Sequence, residues 1–247
     1  MKWLRYQFWY LSIMLWVGIL SWVPGIQLVS EGRASAWWFA LTAIAYFFWT
    51  TCTTVGYHRY FAHRMFRCRP FWDRLLAIGG ALFWNGSVIQ WVAAHITHHK
   101  YHDTPRDPQY TGWSYLFWKR YRSVQVDLRS IREYARDPLH LFIHNYYLAV
   151  VLGFMAALYL LSPMILLYGY LMPFGLFRVI GGIHTVIAHY GDGKRKYPID
   201  LPWLEYVLPL MGEWNHGLHH QHWQQWNMRY RWWHIDPGAW VIRAIRI

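Results

Sequence analysis

Three long stretches of the chain carry no charged side chain, and they limit the possible folds more than any other feature. They cover residues 6–30, 34–57 and 145–177, which are 25, 24 and 33 residues long. A helix needs about 20 apolar residues to cross the hydrocarbon core of a bilayer. Charged residues make up only 15% of the chain, whereas about a quarter is usual in soluble domains. The sequence therefore predicts an all-α integral membrane protein.

Lysine and arginine are distributed unevenly around these stretches. Of the 24 basic residues, two precede the first stretch, thirteen lie between Gly56 and His144, and seven follow His189. Because basic residues mark cytoplasmic segments, we expect both termini and the middle of the chain to face the cytoplasm. The 33-residue stretch then turns back near Ser162–Pro163. We expect the first stretch to remain as an uncleaved anchor, since it is longer than the apolar core of a signal peptide.

A fourth uncharged segment, residues 75–94, contains several glycines and the polar Asn85. If it crossed the membrane, the basic residues Arg64 and Arg120 would face opposite compartments, so we expect an interfacial or re-entrant helix instead. The prediction is one domain over residues 1–247, with four transmembrane helices and a cytoplasmic helical cap. The spans are expected at about 7–29, 36–57, 145–161 and 164–188, and the cytoplasmic segments at 58–144 and 189–247.

Nine of the 15 histidines lie where the predicted spans meet the cytoplasm. HITHH at 95–99 and HGLHH at 216–220 share one pattern, HRYFAH at 58–63 follows the second span, and one further histidine ends the fourth. The nine are His58, His63, His95, His98, His99, His189, His216, His219 and His220. Since positions i, i+3 and i+4 share a helix face, we expect each HxxHH motif to present three imidazoles to one point. Imidazole suits iron, zinc and copper, and nine imidazoles suit two ions.

The remaining histidine positions lead to weaker expectations. His58 and His63 are five positions apart, about 140° around an ideal helix, so we expect them to straddle a helix end, with one histidine for each metal. Lone histidines in apolar helices are usually hydrogen-bonded core residues, which we expect for His140, His144, His184 and His234. His102 and His222 lie just outside the motifs, and we expect them beside the ligands or at the surface.

These motifs, in this order, resemble the membrane fatty acid desaturase family, most closely its acyl desaturases that act near the ninth carbon. The likeness runs from about Thr51 to Arg243 and includes GYHRYFAHR, WVAAHITHHKYHDTPRDP, GEWNHGLHH and RWWHIDPGAWVIR. It implies two non-haem iron ions held by the nine histidines, His189 among them, with O2 as co-substrate. No catalytic side chain is expected beyond the metal centre, because removing hydrogen from an unactivated methylene requires a metal cofactor.

Several neighbouring residues are expected to support this centre. Acidic residues near the histidines would orient imidazole N–H groups, although ordinary loop acids are an alternative; they are Asp103, Asp107, Asp192 and Glu213. Thr185 stands where the family commonly has an asparagine that helps to hold a metal-bound water. The resemblance places Trp91 in the acyl tunnel. We expect the tunnel to be lined by Trp91, Trp84, Asn85 and Gly181, and core packing is an equal alternative for Trp84.

The expected reaction is the insertion of a cis double bond into a saturated fatty acyl chain, with two electrons from a separate donor. The net charge of +12 suits an acidic ferredoxin or a cytochrome b5-type protein with its reductase, and it suits anionic membrane lipids as well. No nucleic acid is expected as a partner. Ala93 and Ala94 replace an Arg-Asp pair that contacts coenzyme A in animal enzymes, which favours a lipid-linked acyl chain and leaves acyl-CoA open.

Two alternatives remain at this point. A fatty acyl or hydrocarbon hydroxylase or ketolase of the same superfamily would share the histidines and differ only in the product. A metal transporter or zinc-binding scaffold is the alternative from another class. Such a protein should place its ionisable ligands inside the spans along a path, whereas these histidines are predicted at the cytoplasmic span ends.

Overall fold

The computed structural model of the protein describes residues 9–108, 129–189 and 197–247, and no β-strand occurs in these ranges. The predicted all-α fold is confirmed for this part of the chain. The α-helices are α1 Trp9–Leu20, α2 Trp22–Ser30, α3 Trp37–Thr51, α4 Pro70–Gly80, α5 Val88–Tyr101, α6 Pro138–Asn145, α7 Tyr147–Leu161, α8 Pro163–Leu166, α9 Met172–His189, α10 His216–Gln221 and α11 Pro237–Ile245. Wider π-helical turns continue three of them, over Cys52–Ala62, Ala81–Asn85 and Leu167–Leu171.

Three helical segments in the described ranges are long and apolar enough to cross a membrane, namely Ser12–Ser30, Trp37–Ala62 and Pro163–His189. Two pairs of helices reach this length only together, and both are bent, α4 with α5 by 75° and α6 with α7 by 83°. The described part of the chain therefore holds three to five candidate spans, which is compatible with a multi-pass membrane protein. Four spans, and a re-entrant segment at residues 75–94, stay predictions.

The π-helical turn at the end of α3 explains the unusual spacing of the first histidine motif. In a π-helix each N–H bonds to the carbonyl five residues earlier, and the His63 N–H donates to the His58 carbonyl at 3.2 Å. The expected helix end is confirmed, because Cys52–Ala62 stops one residue before His63. The wider turn brings the two imidazoles to the same side of the helix, with ring centroids 5.0 Å apart.

Helix α5, which carries the HITHH motif, begins just after the sharp bend that follows α4. The backbone turns there through left-handed φ values of 58° at Trp84 and 81° at Gly86. Ser87 then starts α5 with a capping box, accepting from the Gln90 N–H at 3.2 Å while the Gln90 side chain accepts from the Ser87 N–H at 3.3 Å. The Tyr147 hydroxyl accepts from the Gly86 N–H at 3.0 Å, which joins this bend to α7.

Helices α1 and α9 approach each other closely at a pair of glycines. A Cβ atom added to Gly175 would overlap the Gly18 carbonyl, and one added to Gly18 would lie 2.7 Å from the Gly175 Cα. Small residues allow helix backbones in membranes to pack at such short range. This contact therefore fixes the position of α9, the helix that ends in His189.

We expect Gly175→Ala to destabilise the folded protein by about 1–3 kcal/mol, the usual cost of overpacking a tight contact. The matched control is Gly153→Ala in α7, where an added Cβ meets no atom within 4 Å. Alanine is favoured over glycine inside a helix by roughly 0.5–1 kcal/mol, so the control should be neutral or slightly stabilising. Thermal unfolding of both variants in detergent measures the difference. Equal melting temperatures would contradict the close approach.

Candidate metal centre

The nine predicted histidines come together in two groups. The first holds His58, His63, His95, His99 and His219, and the second holds His98, His189, His216 and His220. Within each group the candidate ligand atoms all lie within 4.8 Å of one another. The groups adjoin, because the rings of His99 and His220 stack with centroids 4.1 Å apart. Each group can hold one metal ion, so the arrangement fits a centre with two ions.

The structure divides the histidine motifs differently from the sequence expectation. Neither HxxHH motif presents its three imidazoles to one point, because consecutive helical residues point about 100° apart. In α5, His98 belongs to the four-histidine group, whereas His95 and His99 belong to the five-histidine group. In α10, His219 alone belongs to the five-histidine group. His58 and His63 also lie in the same group, so the expectation of one of these histidines for each metal is wrong.

Three carboxylates contact the outer nitrogens of histidine rings, as predicted. The distance from the ring Nδ1 to a carboxylate oxygen is 2.7 Å for His58 and Glu213, 2.9 Å for His98 and Asp107, and 3.2 Å for His189 and Asp103. A carboxylate only accepts hydrogen bonds, so it favours the tautomer with the proton on Nδ1 and the lone pair on Nε2. Metal-ligating histidines commonly have such partners. Asp192 lies outside the described residues.

The Nε2 atoms in each group point at one another. In the five-histidine group the pairs His58–His219, His63–His95 and His99–His219 are separated by 2.9, 2.8 and 3.1 Å. In the four-histidine group the pairs His189–His216 and His216–His220 are separated by 2.8 and 3.2 Å. With Nδ1 protonated against a carboxylate, the lone pairs of His58 and His189 face the group interior. This donor chemistry fits a bound cation.

Burial keeps the candidate ligand nitrogens uncharged in the segment that follows α9. It lowers the pKa of His216 and His219 well below the ordinary value, and neighbouring imidazoles lower it further. Burial alone would raise the pKa of Glu213, but the adjacent His58 and Arg59 outweigh it, so the pKa is lowered. At neutral pH the two histidines are therefore neutral and Glu213 is ionised, as metal ligation and its support require.

A fully buried arginine joins the first histidine motif to the last third of the chain. The Arg59 guanidinium donates to both oxygens of Asp236, at 3.0 and 2.9 Å, and to Glu213 at 3.2 Å. It also donates to the backbone carbonyls of Met211 and Trp226. Because Glu213 accepts from both His58 and Arg59, this cluster sets the orientation of the His58 ring.

A cavity of about 130 Å³ adjoins both histidine groups. Three of the four predicted tunnel residues, Trp91, Asn85 and Gly181, line it, and so does Thr185. Trp91 stacks on His95 with centroids 4.5 Å apart. The Thr185 hydroxyl donates to the Gly181 carbonyl at 2.8 Å. Trp84 is not among the lining residues and packs in the core against Tyr10 and Tyr147, which agrees with its alternative interpretation.

The lone histidines divide into two kinds. His144 and His184 are hydrogen-bonded as expected, to the Ser87 hydroxyl and to the Glu213 carbonyl, each at 2.9 Å. His234 is buried, and neither ring nitrogen has a hydrogen-bond partner in the described ranges, so that expectation is wrong for His234. The Nδ1 atom of His140 likewise has no partner in these ranges. His102 lies beside His220, and His222 is exposed, as expected.

Sequence reasoning missed three residues at this site. Arg59 lies inside the HRYFAH motif, and Arg178 and His184 lie inside the predicted fourth span, residues 164–188. His184 and Arg178 both line the cavity. The available signal was the placement of ionisable residues inside or beside predicted spans, where they are costly and usually functional.

Membrane-length helices and two adjoining histidine groups that could hold metal ions define a class of histidine-rich membrane proteins. The comparison with protein families narrows this class. The family model described as "Fatty acid desaturase" matches residues 35–246. The chain belongs to the fatty acid desaturase family, and it is an oxidoreductase that acts on acyl chains.

Individual relatives are similar at modest identity. The sn-1 stearoyl-lipid 9-desaturase of Anabaena variabilis is 27% identical over 230 residues, which cover 85% of this chain and 82% of the relative. The sn-2 palmitoyl-lipid 9-desaturase of Nostoc sp. (strain 36) is 26% identical over 85% of this chain and 79% of its own length. A probable acyl-CoA desaturase of Schizosaccharomyces pombe is 27% identical over 74% of this chain. The match spans only 42% of that longer relative.

Proposed function

We propose that the protein is an oxygen-dependent fatty acyl desaturase that inserts a cis double bond with a histidine-ligated di-iron centre. The observation that carries the proposal is the pair of histidine groups, five and four imidazoles, next to a partly apolar cavity. Imidazole nitrogens suit iron. When bound, two iron ions would supply the redox chemistry with O2 that side chains lack.

The residues around the histidines have defined supporting roles in this proposal. Asp103, Asp107 and Glu213 hold three imidazoles in the tautomer that leaves Nε2 free. Trp91 covers the ring of His95 and borders the cavity, so it would confine the acyl chain beside the metal ligands and exclude water. Thr185 reaches the same cavity and would contact the substrate or a bound water.

The contacts between the histidine motifs support a re-entrant segment. His63 precedes the bent pair α4–α5 and His95 lies in the middle of α5, yet their Nε2 atoms are 2.8 Å apart. A pair of helices that begins and ends at one site returns to the face from which it started. We therefore propose four spans, formed by α1–α2, α3, α7 and α8–α9, in one domain over residues 1–247. Following the basic residues, both termini and the site would face the cytoplasm.

The proposal also covers the carrier of the acyl chain and the electron donor. Relatives named for stearoyl-lipid and palmitoyl-lipid substrates, together with Ala93 and Ala94, favour a chain esterified in a membrane lipid. Two electrons per turnover would come from a separate ferredoxin or cytochrome b5-type protein and its reductase. The net charge of +12 would attract an acidic donor of this kind.

Expression in a host that lacks its own desaturases, fed with deuterated saturated fatty acids, tests the proposal. Mass spectrometry of the extracted lipids should show a product that has lost two hydrogen atoms, and only when oxygen is present. A product that gains one oxygen atom would indicate a hydroxylase instead. Bound zinc with no oxygen-dependent change in the lipids would reject the desaturase.

A further inference from the structure

The loop that precedes the HGLHH motif exposes large apolar side chains. This stretch, called here the 202–210 loop, begins with a 3₁₀ turn over Pro202–Tyr206. Its one charged residue, Glu205, is buried and accepts a hydrogen bond from the Leu210 N–H at 2.9 Å. Three large side chains of the loop are more than half exposed, namely Trp203 at 57%, Tyr206 at 57% and Val207 at 63%. The outward face of the loop is therefore apolar and uncharged.

A hydrogen bond from α3 indicates how deep this loop lies. The Tyr46 hydroxyl donates to the Pro209 carbonyl. With α3 as a span that ends near Tyr57, Tyr46 lies eleven residues, roughly 16 Å along the helix axis, inside the cytoplasmic end of the span. Half of the hydrocarbon core is about 15 Å thick, so Tyr46 lies near the middle of the bilayer. Because a tyrosine side chain is shorter than half of that distance, Pro209 lies below the cytoplasmic surface of the hydrocarbon.

The backbone at the end of the loop is suited to this depth. Lipid offers no hydrogen bonds, so irregular backbone at membrane depth must find its partners in the protein. The Trp214 ring N–H donates to the Leu208 carbonyl at 2.7 Å. The Arg59 guanidinium donates to the Met211 carbonyl at 2.6 Å. With the bonds to Tyr46 and Glu205, four successive residues, 208–211, have a side-chain partner for a backbone group.

The loop also adjoins the lipid-facing side of α3. The ring of Phe47 lies edge-on to that of Tyr46, with centroids 5.6 Å apart, and Phe47 and Ile44 are both exposed. In a spanning helix, exposed apolar side chains at this level contact hydrocarbon. Lipid that contacts Ile44 and Phe47 therefore reaches the depth at which the 202–210 loop meets the helix.

A second exposed stretch next to the loop has the composition of a membrane interface. The Tyr206 hydroxyl donates to the Trp233 carbonyl, and all residues of 229–233 are exposed. This stretch reads RYRWW, three aromatic rings and two arginines. Tryptophan and tyrosine gather at the boundary between hydrocarbon and head groups, and arginine attracts anionic head groups. The arginines would suit an acidic protein as well, but the depth of Pro209 favours lipid.

We infer that the 202–210 loop is inserted into the cytoplasmic leaflet, with Trp203, Tyr206 and Val207 in contact with lipid. This inference goes beyond the proposed function and rests only on α3 as a span. The loop does not add a crossing, because the Ile199 N–H before it donates to the Ala188 carbonyl near the end of α9 at 3.0 Å, and α10 follows it. Since Leu210 lines the cavity, the loop lies between the cavity and the lipid.

Spin labelling of the full chain in nanodiscs of phosphatidylcholine and phosphatidylglycerol tests the inference. Both native cysteines are replaced by alanine, and one label is attached at Val207→Cys, Ile44→Cys or Gln224→Cys. Oxygen concentrates in hydrocarbon, whereas a nickel chelate stays in water. The Val207 label should resemble the Ile44 label, with a ratio of oxygen to nickel accessibility several-fold above that of the exposed Gln224. A Val207 label as accessible to nickel as the Gln224 label would overturn the inference.

A pair of tryptophan variants decides the question even if the cysteine-free protein does not fold. Trp203→Phe and Trp223→Phe each remove one exposed ring, 57% and 46% exposed. The difference between wild-type and variant fluorescence isolates the emission of the removed ring. Lipids brominated on their acyl chains should quench the Trp203 emission and leave the Trp223 emission unchanged. Equal quenching of the two rings, or no quenching of Trp203, would show that the loop lies outside the membrane.

Discussion

Replacing His98 with alanine is expected to abolish double-bond formation and to reduce bound iron, while membrane insertion stays intact. His98 is buried in the four-histidine group, and its Nδ1 faces Asp107 at 2.9 Å. Removing a residue that only hydrogen-bonds to a metal ligand costs about 10–100-fold in metal affinity or activity. Removing a ligand such as His98 should therefore lower activity by more than about 100-fold. Lipid profiling measures the product, and elemental analysis of the purified protein measures the metal.

Two further variants make this result specific. His222→Ala removes an exposed imidazole only two positions after His220, and it should keep wild-type iron and activity. Asp107→Asn keeps the shape of the partner and removes its charge, so activity should fall by about 10–100-fold. A fully active His98→Ala variant would remove that residue from the proposed ligands.

Replacing Arg59 with methionine is expected to destabilise the protein more than any other single change to a charged residue described above. The substitution leaves Asp236 and Glu213 buried without their cationic partner. Removing one member of a buried ion pair costs about 3–5 kcal/mol. Glu213 would also lose the contact that fixes its position beside His58. We therefore expect a lower thermal unfolding midpoint together with reduced iron content.

Arg64→Met is the matched control, five positions along the chain. Arg64 pairs with Glu133 at 2.8 Å, but the two side chains are 56% and 54% exposed, and exposed pairs contribute about 0–1 kcal/mol. Thermal unfolding of both variants in the same detergent measures the difference. Similar losses in the two variants would contradict the assignment of Arg59 as a buried structural cation.

The candidate ligands were predictable because the spacing of the histidines and their position at the ends of apolar stretches can be read directly from the sequence. All nine histidines predicted as ligands fall in the two groups. Their division between the groups was not predictable, since it depends on where α5 and α10 stand relative to α3. The π-helical turn that aligns His58 with His63 has no simple sequence pattern either, because it depends on packing around the end of α3.

The partners of the site were predictable to different degrees. Asp103 and Asp107 lie within ten residues of the HITHH motif, so proximity along the chain pointed to them. The bonds from Arg59 to Glu213 and Asp236 join residues 154 and 177 positions apart, and no local pattern encodes such a distance. Trp84 illustrates the remaining ambiguity, because an apolar aromatic residue near the motifs suits a tunnel and a core equally well.

The sequence separation of 177 residues between Arg59 and Asp236 has a consequence for biosynthesis. All nine histidines have been synthesised once residue 220 is added, yet Asp236 follows sixteen residues later. Until that aspartate leaves the exit tunnel, the Arg59 guanidinium within the first motif lacks its main counter-ion, and the nascent chain has to close a very long loop to provide it. Iron loading is therefore expected to follow translation of the last segment, and a premature stop just before Asp236 would yield a chain with every histidine and no assembled centre.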